Sequence, residues 1–233
     1  MVYLIPSLLH EEGLSALPAY LLEAALQCQV FFVENERTAR RFLKKLSRDI
    51  VIDDYEWHTV HKAEEEIREI FIQRIQEGKN IGIISEAGCP GVADPGQLLV
   101  AAAHQYNATV KPLSGPSSFL LALMSSGMNG QQFRFVGYLP IEPADREKTI
   151  RELEAESKNK NCTEVFIETP YRNDAMLDAL LKTCMPSTRL CIAMDLTADT
   201  EWVKTKTISE WEKEKPVLHK RPSIFLLFAG QIN

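Results

Sequence analysis

The sequence has no long apolar run and no recognisable targeting segment. Nothing in its 233 residues approaches the roughly 20 consecutive apolar residues that cross a bilayer. The stretch from Met1 to Pro6 also lacks the basic region and the cleavage site of a secretory signal peptide. We therefore expect a cytoplasmic protein without membrane-spanning segments.

Cysteine is scarce, and positive charge is not in excess. The five cysteines are odd in number and include no C-x-x-C pair, which argues against a disulfide framework and a structural zinc site. With 26 basic and 32 acidic residues, the formal net charge is −6. The chain therefore lacks the broad positive field of a protein that grips naked nucleic acid over a large surface, and any RNA contact must be local.

Two nucleotide-binding signatures are also missing. No G-x-G-x-x-G follows a predicted strand, and Gly78-Lys79 is not preceded by the glycine spacing of a phosphate loop. We therefore expect neither a Rossmann-type NAD enzyme nor an ordinary NTPase.

What is present is an α/β pattern long enough for two domains. Short β-branched runs alternate with amphipathic segments in the first half, which predicts βαβ units and a mainly parallel sheet. The second half predicts a mixed sheet, with an exposed antiparallel strand at 202–207. We place the domains at 1–113 and 114–233. The predicted strands are 3–5, 30–33, 80–84, 109–111, 133–137, 164–167, 190–194, 202–207 and 223–228, and the predicted helices are 17–26, 36–46, 63–76, one from 97, 119–125, 146–158 and 173–183.

Two segments between these elements are candidate ligand sites. Ser85 to Gly96 is rich in glycine, which lets main chain approach a ligand, and in proline, which fixes the turn. It follows a strand, where open α/β sheets bind ligands. Pro112 to Ser118 opens a helix, and its serines suit helix capping or a polar ligand group. A tight connection and a plain helix cap remain the alternatives.

Together, the G-x-P-x-x-x-D-P-G turn and the P-x-x-G-P-S-S helix start resemble the tetrapyrrole (corrin/porphyrin) methylase superfamily. Within it, they resemble the branch that methylates a ribose 2′-hydroxyl of small-subunit ribosomal RNA. Further matches cover nearly the whole chain: Glu34 and Arg37, Tyr55 and His58, 137–140, 168–172 and 195–197.

The resemblance implies a two-domain α/β fold that holds S-adenosylmethionine in a cleft between the domains, and a homodimer. Matched by position, the implied cofactor-binding residues are Ser85, Glu86, Ala87, Gly88, Cys89, Pro90, Val92, Asp94, Ser114, Gly115, Pro116, Ser117, Ser118, Ile167, Glu168, Thr169, Leu196 and Thr197.

Several positions depart from the family pattern. The usual Thr-Pro-x-Gly-Asn-Leu turn after the first strand keeps only its proline, Pro6, and Cys89 replaces a threonine. The usual Glu-Asp-Thr-Arg is Glu-Asn-Glu-Arg at 34–37, and the usual Arg-Glu-Leu-Thr-Lys is Met-Asp-Leu-Thr-Ala at 194–198.

A basic stripe is predicted on the helix 36–46 and the residues that follow it. Six cations recur at the spacing of one helical face, which fits a local phosphate track for an RNA substrate. The alternative is a solvated face balanced by nearby acids. The six residues are Arg37, Arg40, Arg41, Lys44, Lys45 and Arg48.

The catalytic group is left open among Glu34, Glu36, His58 and Asp94. His58 and His61, with Glu64 and Glu65, do not form a recognised metal-ligand spacing, so no metal is expected. Glu168 and Arg172 are interpreted as an internal ion pair around a core aromatic, Tyr171, and the three tryptophans as packing residues.

The leading hypothesis is methyl transfer to ribosomal RNA, in which the protein aligns and desolvates the reactants. The alternatives are methylation of a tetrapyrrole or another small molecule, and an RNA-binding module that has kept the cofactor and lost catalysis.

Overall fold

The computed structural model describes residues 1–60, 64–93 and 96–231, which form two compact α/β units. The division falls after Ser117, whereas the sequence placed it after residue 113. Among the described residues, no helix combines the length and apolar character that spanning a membrane requires.

The first unit is built on a five-stranded sheet in which every neighbouring pair is parallel. The strands lie in the order β3-β2-β4-β1-β5. They are β1 (Val2–Ile5), β2 (Val30–Val33), β3 (Glu56–Thr59), β4 (Ile81–Ile84) and β5 (Val110–Pro112). Pro112 ends an edge strand, where its missing N–H leaves no ladder bond unmade.

Helices cover both faces of this sheet, because alternate strand residues point to opposite sides. Phe31 packs with residues of α1 (Tyr20–Leu26) and α2 (Glu36–Leu46). Phe32 packs with residues of α3 (Glu64–Gln76) and α4 (Gln97–Gln105). Two short 3-10 helices, Gly13–Ala16 and Ile52–Asp54, lie in the connections.

The second unit has a mixed sheet with the order β6-β7-β10-β8-β9. Only β6 and β7 pair in parallel, and the other pairs are antiparallel. Its strands are β6 (Phe133–Tyr138), β7 (Thr163–Ile167), β8 (Arg189–Met194), β9 (Trp202–Thr207) and β10 (Ser223–Phe228), and its helices are α5 (Ser118–Ser126), α6 (Pro143–Lys160), α7 (Asn173–Thr183) and α8 (Ile208–Trp211).

The core of the second unit lies between one sheet face and α6, α7 and α8. Leu190 and Ile192 point into it, together with the fully buried Phe225 and Trp211. On the other face, the Thr205 hydroxyl donates to the carbonyl of Ser126 in α5 at 2.7 Å. The sheet is therefore covered on both faces.

These findings confirm the predicted fold class of a mainly parallel sheet followed by a mixed one. The predicted bounds of β2, α2, α7, β9 and β10 agree with the structure. Strand β3 and helix α8 were not predicted. The helix predicted to begin at Leu17 begins at Tyr20, because Leu17 is extended before Pro18.

Candidate functional site

Three loops meet at the carboxyl edge of the parallel sheet. They follow β1, β4 and β5, which are neighbours in the order β4-β1-β5. The loop after β1 leads to the face covered by α1, and the loop after β4 leads to α4 on the opposite face. Adjacent strand ends whose connections diverge in this way form the crevice in which open α/β sheets bind ligands.

The turn after β4 has positive φ values at four of its described residues. Gly88, Gly91 and Gly96 have φ values of +73°, +80° and +126°, and Ala93 has +63°. Glycine adopts these values at little cost, whereas other residues seldom do. The Ser85 hydroxyl lies 3.3 Å from the Gly88 carbonyl oxygen and stabilises the start of the turn.

The loop after β1 holds this turn in place. The Ser7 N–H donates to the Gly88 carbonyl at 2.8 Å, and the Ser7 hydroxyl donates to the Ser85 carbonyl at 3.0 Å. A Cβ atom on Gly88 would lie 3.2 Å from Leu9 Cδ2. Ser7 was not singled out from the sequence, although its place directly after a buried strand and a proline is a signal for this role.

The loop after β5 packs closely against both others. A Cβ atom on Gly115 would lie 2.2 Å from Pro6 Cβ, so only glycine fits there. The thiol of Cys89 lies 3.6 Å from the Pro116 carbonyl oxygen. The N–H of Ser114 donates to the Tyr20 hydroxyl at 2.8 Å. The two segments predicted from composition therefore contact one another, as do Ser85 to Cys89 and the loop after β1.

Glu34, one of the four catalytic candidates, contacts the turn after β4. Its carboxylate accepts a hydrogen bond from the Glu86 N–H at 3.0 Å. The Glu86 carboxylate accepts in turn from the hydroxyl of Thr38 on α2, at 3.3 Å. These contacts join the end of β2, the helix α2 and the turn.

The other candidates lie elsewhere. Glu36 forms an ion pair with Arg40 at 2.6 Å. His58 stacks on Phe32 in the middle of β3 and lies 2.6 Å from the Glu56 carboxylate. Burial acts to raise the pKa of Glu56, but hydrogen bonds from His58 and Arg74 outweigh it and lower that pKa. Asp94 and His61 lie outside the described residues, and no described group of His, Cys, Asp or Glu has the arrangement of a metal site.

Most residues of the basic stripe are exposed and have no carboxylate partner among the described residues. Arg37, Arg41, Lys44, Lys45 and Arg48 are exposed, and none of them forms an ion pair with a carboxylate in the described part of the chain. Arg40 differs, because it pairs with Glu36 and lies 5.3 Å from the centre of the Trp57 ring.

The predicted residues of the second unit follow β7 and β8, whose carboxyl ends point the same way on either side of β10. Glu168 and Arg172 form the predicted ion pair at 2.6 Å. Oε2 of Glu168 and Oγ1 of Thr197 are buried and have no hydrogen-bond partner among the described residues. The interpretation of Tyr171 as a core aromatic is wrong: it is 72% exposed, because the turn before α7 directs it outward.

The fold and these loops define an α/β protein with a candidate ligand site at the carboxyl edge of its parallel sheet. The family model of the tetrapyrrole (corrin/porphyrin) methylases matches residues 14–212. The chain belongs to this family.

Individual relatives agree with this assignment. Two are named ribosomal RNA small subunit methyltransferase I. That of Micromonospora olivasterospora is 32% identical over 86% of this chain and 60% of its own length. That of Leptospira borgpetersenii serovar Hardjo-bovis is 33% identical over 81% of this chain and 72% of its own. The chain spans 60% of the length of the Micromonospora protein, and 48% and 61% of the lengths of two further relatives with the same name.

Solved structures share the fold. One is the crystal structure of uroporphyrin-III C-methyl transferase from Thermus thermophilus, complexed with S-adenosylhomocysteine. The match covers 97% of this chain and 96% of that chain, with a TM-score of 0.59 and 17% sequence identity. At this identity, the likeness establishes the fold alone.

Proposed function

We propose that this chain is an S-adenosylmethionine-dependent methyltransferase that modifies a ribose 2′-hydroxyl of small-subunit ribosomal RNA. The observation that carries the proposal is the turn after β4, which contacts the loops after β1 and β5 and has positive φ values at Gly88, Gly91 and Ala93. The names of the curated relatives support the RNA substrate. The S-adenosylhomocysteine complex of a protein with the same fold supports the cofactor.

The residues present fit this cofactor. Gly91, Val92 and Ala93 are exposed residues of the turn, and Gly91 and Ala93 have positive φ values, so backbone N–H and C=O groups there suit the amino, carboxylate and adenine edges of the ligand. Within the second unit, Oε2 of Glu168 and Oγ1 of Thr197 are buried atoms without a hydrogen-bond partner among the described residues. We propose as cofactor-binding residues the set that the family resemblance implies, which comprises the named residues at 85–94, 114–118, 167–169 and 196–197.

When bound, S-adenosylmethionine supplies a methyl group that is activated by the attached sulfonium. The chain's own contribution is to position the sugar hydroxyl and to exclude water. A weak base is enough to accept the hydroxyl proton. Among the described candidates, only the Glu34 carboxylate contacts the turn. Glu36 is paired with Arg40, and His58 lies 2.6 Å from the Glu56 carboxylate.

The substrate part of the proposal rests on α2. Five exposed cations without carboxylate partners in the described residues form a local phosphate track on a molecule of net charge −6. A cytoplasmic location and a homodimer complete the proposal, and sedimentation equilibrium tests the dimer directly.

Transfer of a tritiated methyl group to small ribosomal subunits that lack this modification tests the activity. We expect label in the ribosomal RNA and none in a porphyrinoid control. Label in the porphyrinoid alone would support the tetrapyrrole alternative. Cofactor binding without transfer to either would support the module that has lost catalysis.

Calorimetry with S-adenosylhomocysteine tests the cofactor site. In Gly88→Ala, the new Cβ meets Leu9 and the Pro116 carbonyl, so we expect at least about tenfold weaker binding. Gly78→Ala is the matched control, because Gly78 has nearly the same φ, +74°, and no atom within 4 Å of a Cβ. Equal affinities in the two variants would place the cofactor elsewhere.

A further inference from the structure

A second cleft lies beside the turn after β4, on the side of α2. Its walls are residues 7–11 of the loop after β1, residues of α2, and residues 85–87 of the turn, and it encloses about 220 Å³. All these residues belong to the first unit. We call this space the α2 cleft. Its volume is below the roughly 300–1,000 Å³ of pockets that enclose drug-sized ligands, so it is too small to enclose a macrocycle.

The α2 cleft has an apolar floor and a charged rim, to which α2 contributes two cations and the loop after β1 contributes His10 and Glu11. Ala39 and Phe42 are buried residues of α2 that line it, and Arg41 and Lys45 line it from the exposed side of the same helix. Lys45 is directed toward the loop after β1, since its ammonium group donates to the Glu11 carbonyl at 3.0 Å. Only these two of the six stripe residues are among the lining residues.

At its other end, the α2 cleft reaches an acceptor. Glu86 lines it, and the hydroxyl of Thr38, also a lining residue, donates to its carboxylate at 3.3 Å. A carboxylate oriented in this way accepts a hydrogen bond from a sugar hydroxyl. Cations at one end, an apolar floor and an acceptor at the other match a phosphate, a base or sugar face, and a sugar hydroxyl.

We infer that the α2 cleft binds a single RNA nucleotide, the one to be modified, with its phosphate beside Arg41 and Lys45 and its sugar toward Glu86. The inference rests on the proposed function for the identity of the nucleotide as target. It divides the basic stripe into two parts: Arg41 and Lys45 hold this nucleotide, and the other exposed cations follow the neighbouring strand.

Binding of a mononucleotide tests this division without requiring catalysis. Ligand-observed NMR with cytidine 5′-monophosphate is carried out in the presence of S-adenosylhomocysteine. For the double variant Arg41→Ala/Lys45→Ala, we expect at least about tenfold weaker binding than for the wild type. Arg37→Ala/Arg48→Ala removes the same charge from the same basic stripe but no lining residue, so we expect its affinity to stay within about twofold.

A second comparison tests the acceptor. Glu86→Gln keeps the size of the side chain and removes its charge, so we expect a smaller preference for cytidine 5′-monophosphate over its 2′-deoxy analogue. Equal losses in the two double variants, or no binding by the wild type, would overturn the inference. Mononucleotide binding lost only in the cleft variant, together with no methyl transfer to ribosomal subunits, would support the cleft and refute the proposed function.

Discussion

Gly115 meets Pro6 where the loops after β5 and β1 touch. Because an added Cβ would lie 2.2 Å from Pro6 Cβ, Gly115→Ala forces the two loops apart. We expect a loss of about 1–3 kcal/mol in the free energy of unfolding, as in other overpacked sites, together with weaker cofactor binding. Urea denaturation measures the loss. Gly130→Ala is the control, since no atom lies within 4 Å of its Cβ position, and an equal loss there would contradict the steric cause.

Glu164 is a fully buried carboxylate in β7. Burial raises its pKa above the usual 4.5, although Arg134 donates to it at 2.8 Å. The folded state therefore binds more protons than the unfolded state just above pH 4.5, so this group makes the protein less stable as pH rises through that window. Glu164→Gln does not titrate. We therefore expect the free energy of unfolding of this variant, relative to that of the wild type, to increase from pH 4 to pH 7. Urea denaturation measures it at each pH, and a difference that stays constant with pH would contradict the assignment.

Glu210 provides a control of opposite sign. Hydrogen bonds from the backbone and side chain of Thr207 lower its pKa below 4.5. Its contribution to stability is present above pH 4.5 and is lost as pH falls through the lowered folded-state value. Glu210→Gln should therefore become less stable relative to the wild type as pH rises to 4.5 from below the lowered folded-state pKa, a window below the one in which Glu164 titrates.

At the scale of an element, α2 carries both the cationic stripe and one wall of the cleft. Its first turn is capped by Asn35, whose side-chain oxygen accepts from the N–H groups of Arg37 and Thr38 at 3.1 and 3.3 Å. Asn35→Ala removes this cap and should cost about 1 kcal/mol of stability. Asn35→Asp keeps an acceptor and places a negative charge at the helix start, so it should be nearly neutral. Thermal denaturation distinguishes them, and two equal losses would exclude capping as the cause.

The turn after β4 can be probed through its cysteine. Cys89 is half-exposed, whereas the other four thiols are buried and burial raises their pKa, to about 12 for Cys28 and about 11 for Cys191. Because the thiolate is the reactive form, iodoacetamide should label Cys89 first. S-adenosylhomocysteine should slow this labelling, as followed by peptide mass spectrometry. Unchanged labelling at saturating ligand would mean that the cofactor does not cover this turn.

Elements with a clear local pattern of apolar residues could be predicted from the sequence. Elements that depend on pairing with a distant strand could not. Helix α2 has apolar positions at helical spacing and an asparagine cap, and its predicted bounds agree with the structure. Strand β3 has only half-buried residues and no clear alternation. It is stabilised by Trp57 stacking on Phe31 at 5.0 Å and by His58 stacking on Phe32, and neither contact can be read from the local sequence.

The candidate site could be predicted in part for a similar reason. Composition singled out the turn after β4 and the segment after β5. Their contact through the loop after β1 depends on β1 lying between β4 and β5, which is a property of the sheet order. The contact of Thr38 with Glu86 likewise joins residues 48 positions apart. The side chain of Tyr171 shows the limit clearly, since an aromatic between two charged residues is equally compatible with burial and exposure.

For the whole molecule, the charge distribution predicts how RNA binding depends on salt. The net charge of −6 repels a polyanion at long range, and attraction comes from the five exposed cations on and directly after α2. If these neutralise about five phosphates, the logarithm of the binding constant should fall with the logarithm of salt concentration at a slope of about −3 to −5. Fluorescence anisotropy with labelled small-subunit ribosomal RNA measures this slope.

Two single variants distinguish direct contact between RNA and the basic stripe from a general effect of the molecule's charge. Arg37 is exposed without a carboxylate partner in the described residues, so Arg37→Ala should make the slope shallower by about 1. Arg40 is paired with Glu36 and packed on Trp57, so Arg40→Ala removes the same charge but should leave the slope nearly unchanged. Equal slopes in both variants would mean that RNA responds only to the total charge of the molecule. Because a long-range field would not distinguish two arginines three residues apart on one helix, a difference between them would locate the RNA on this face of α2.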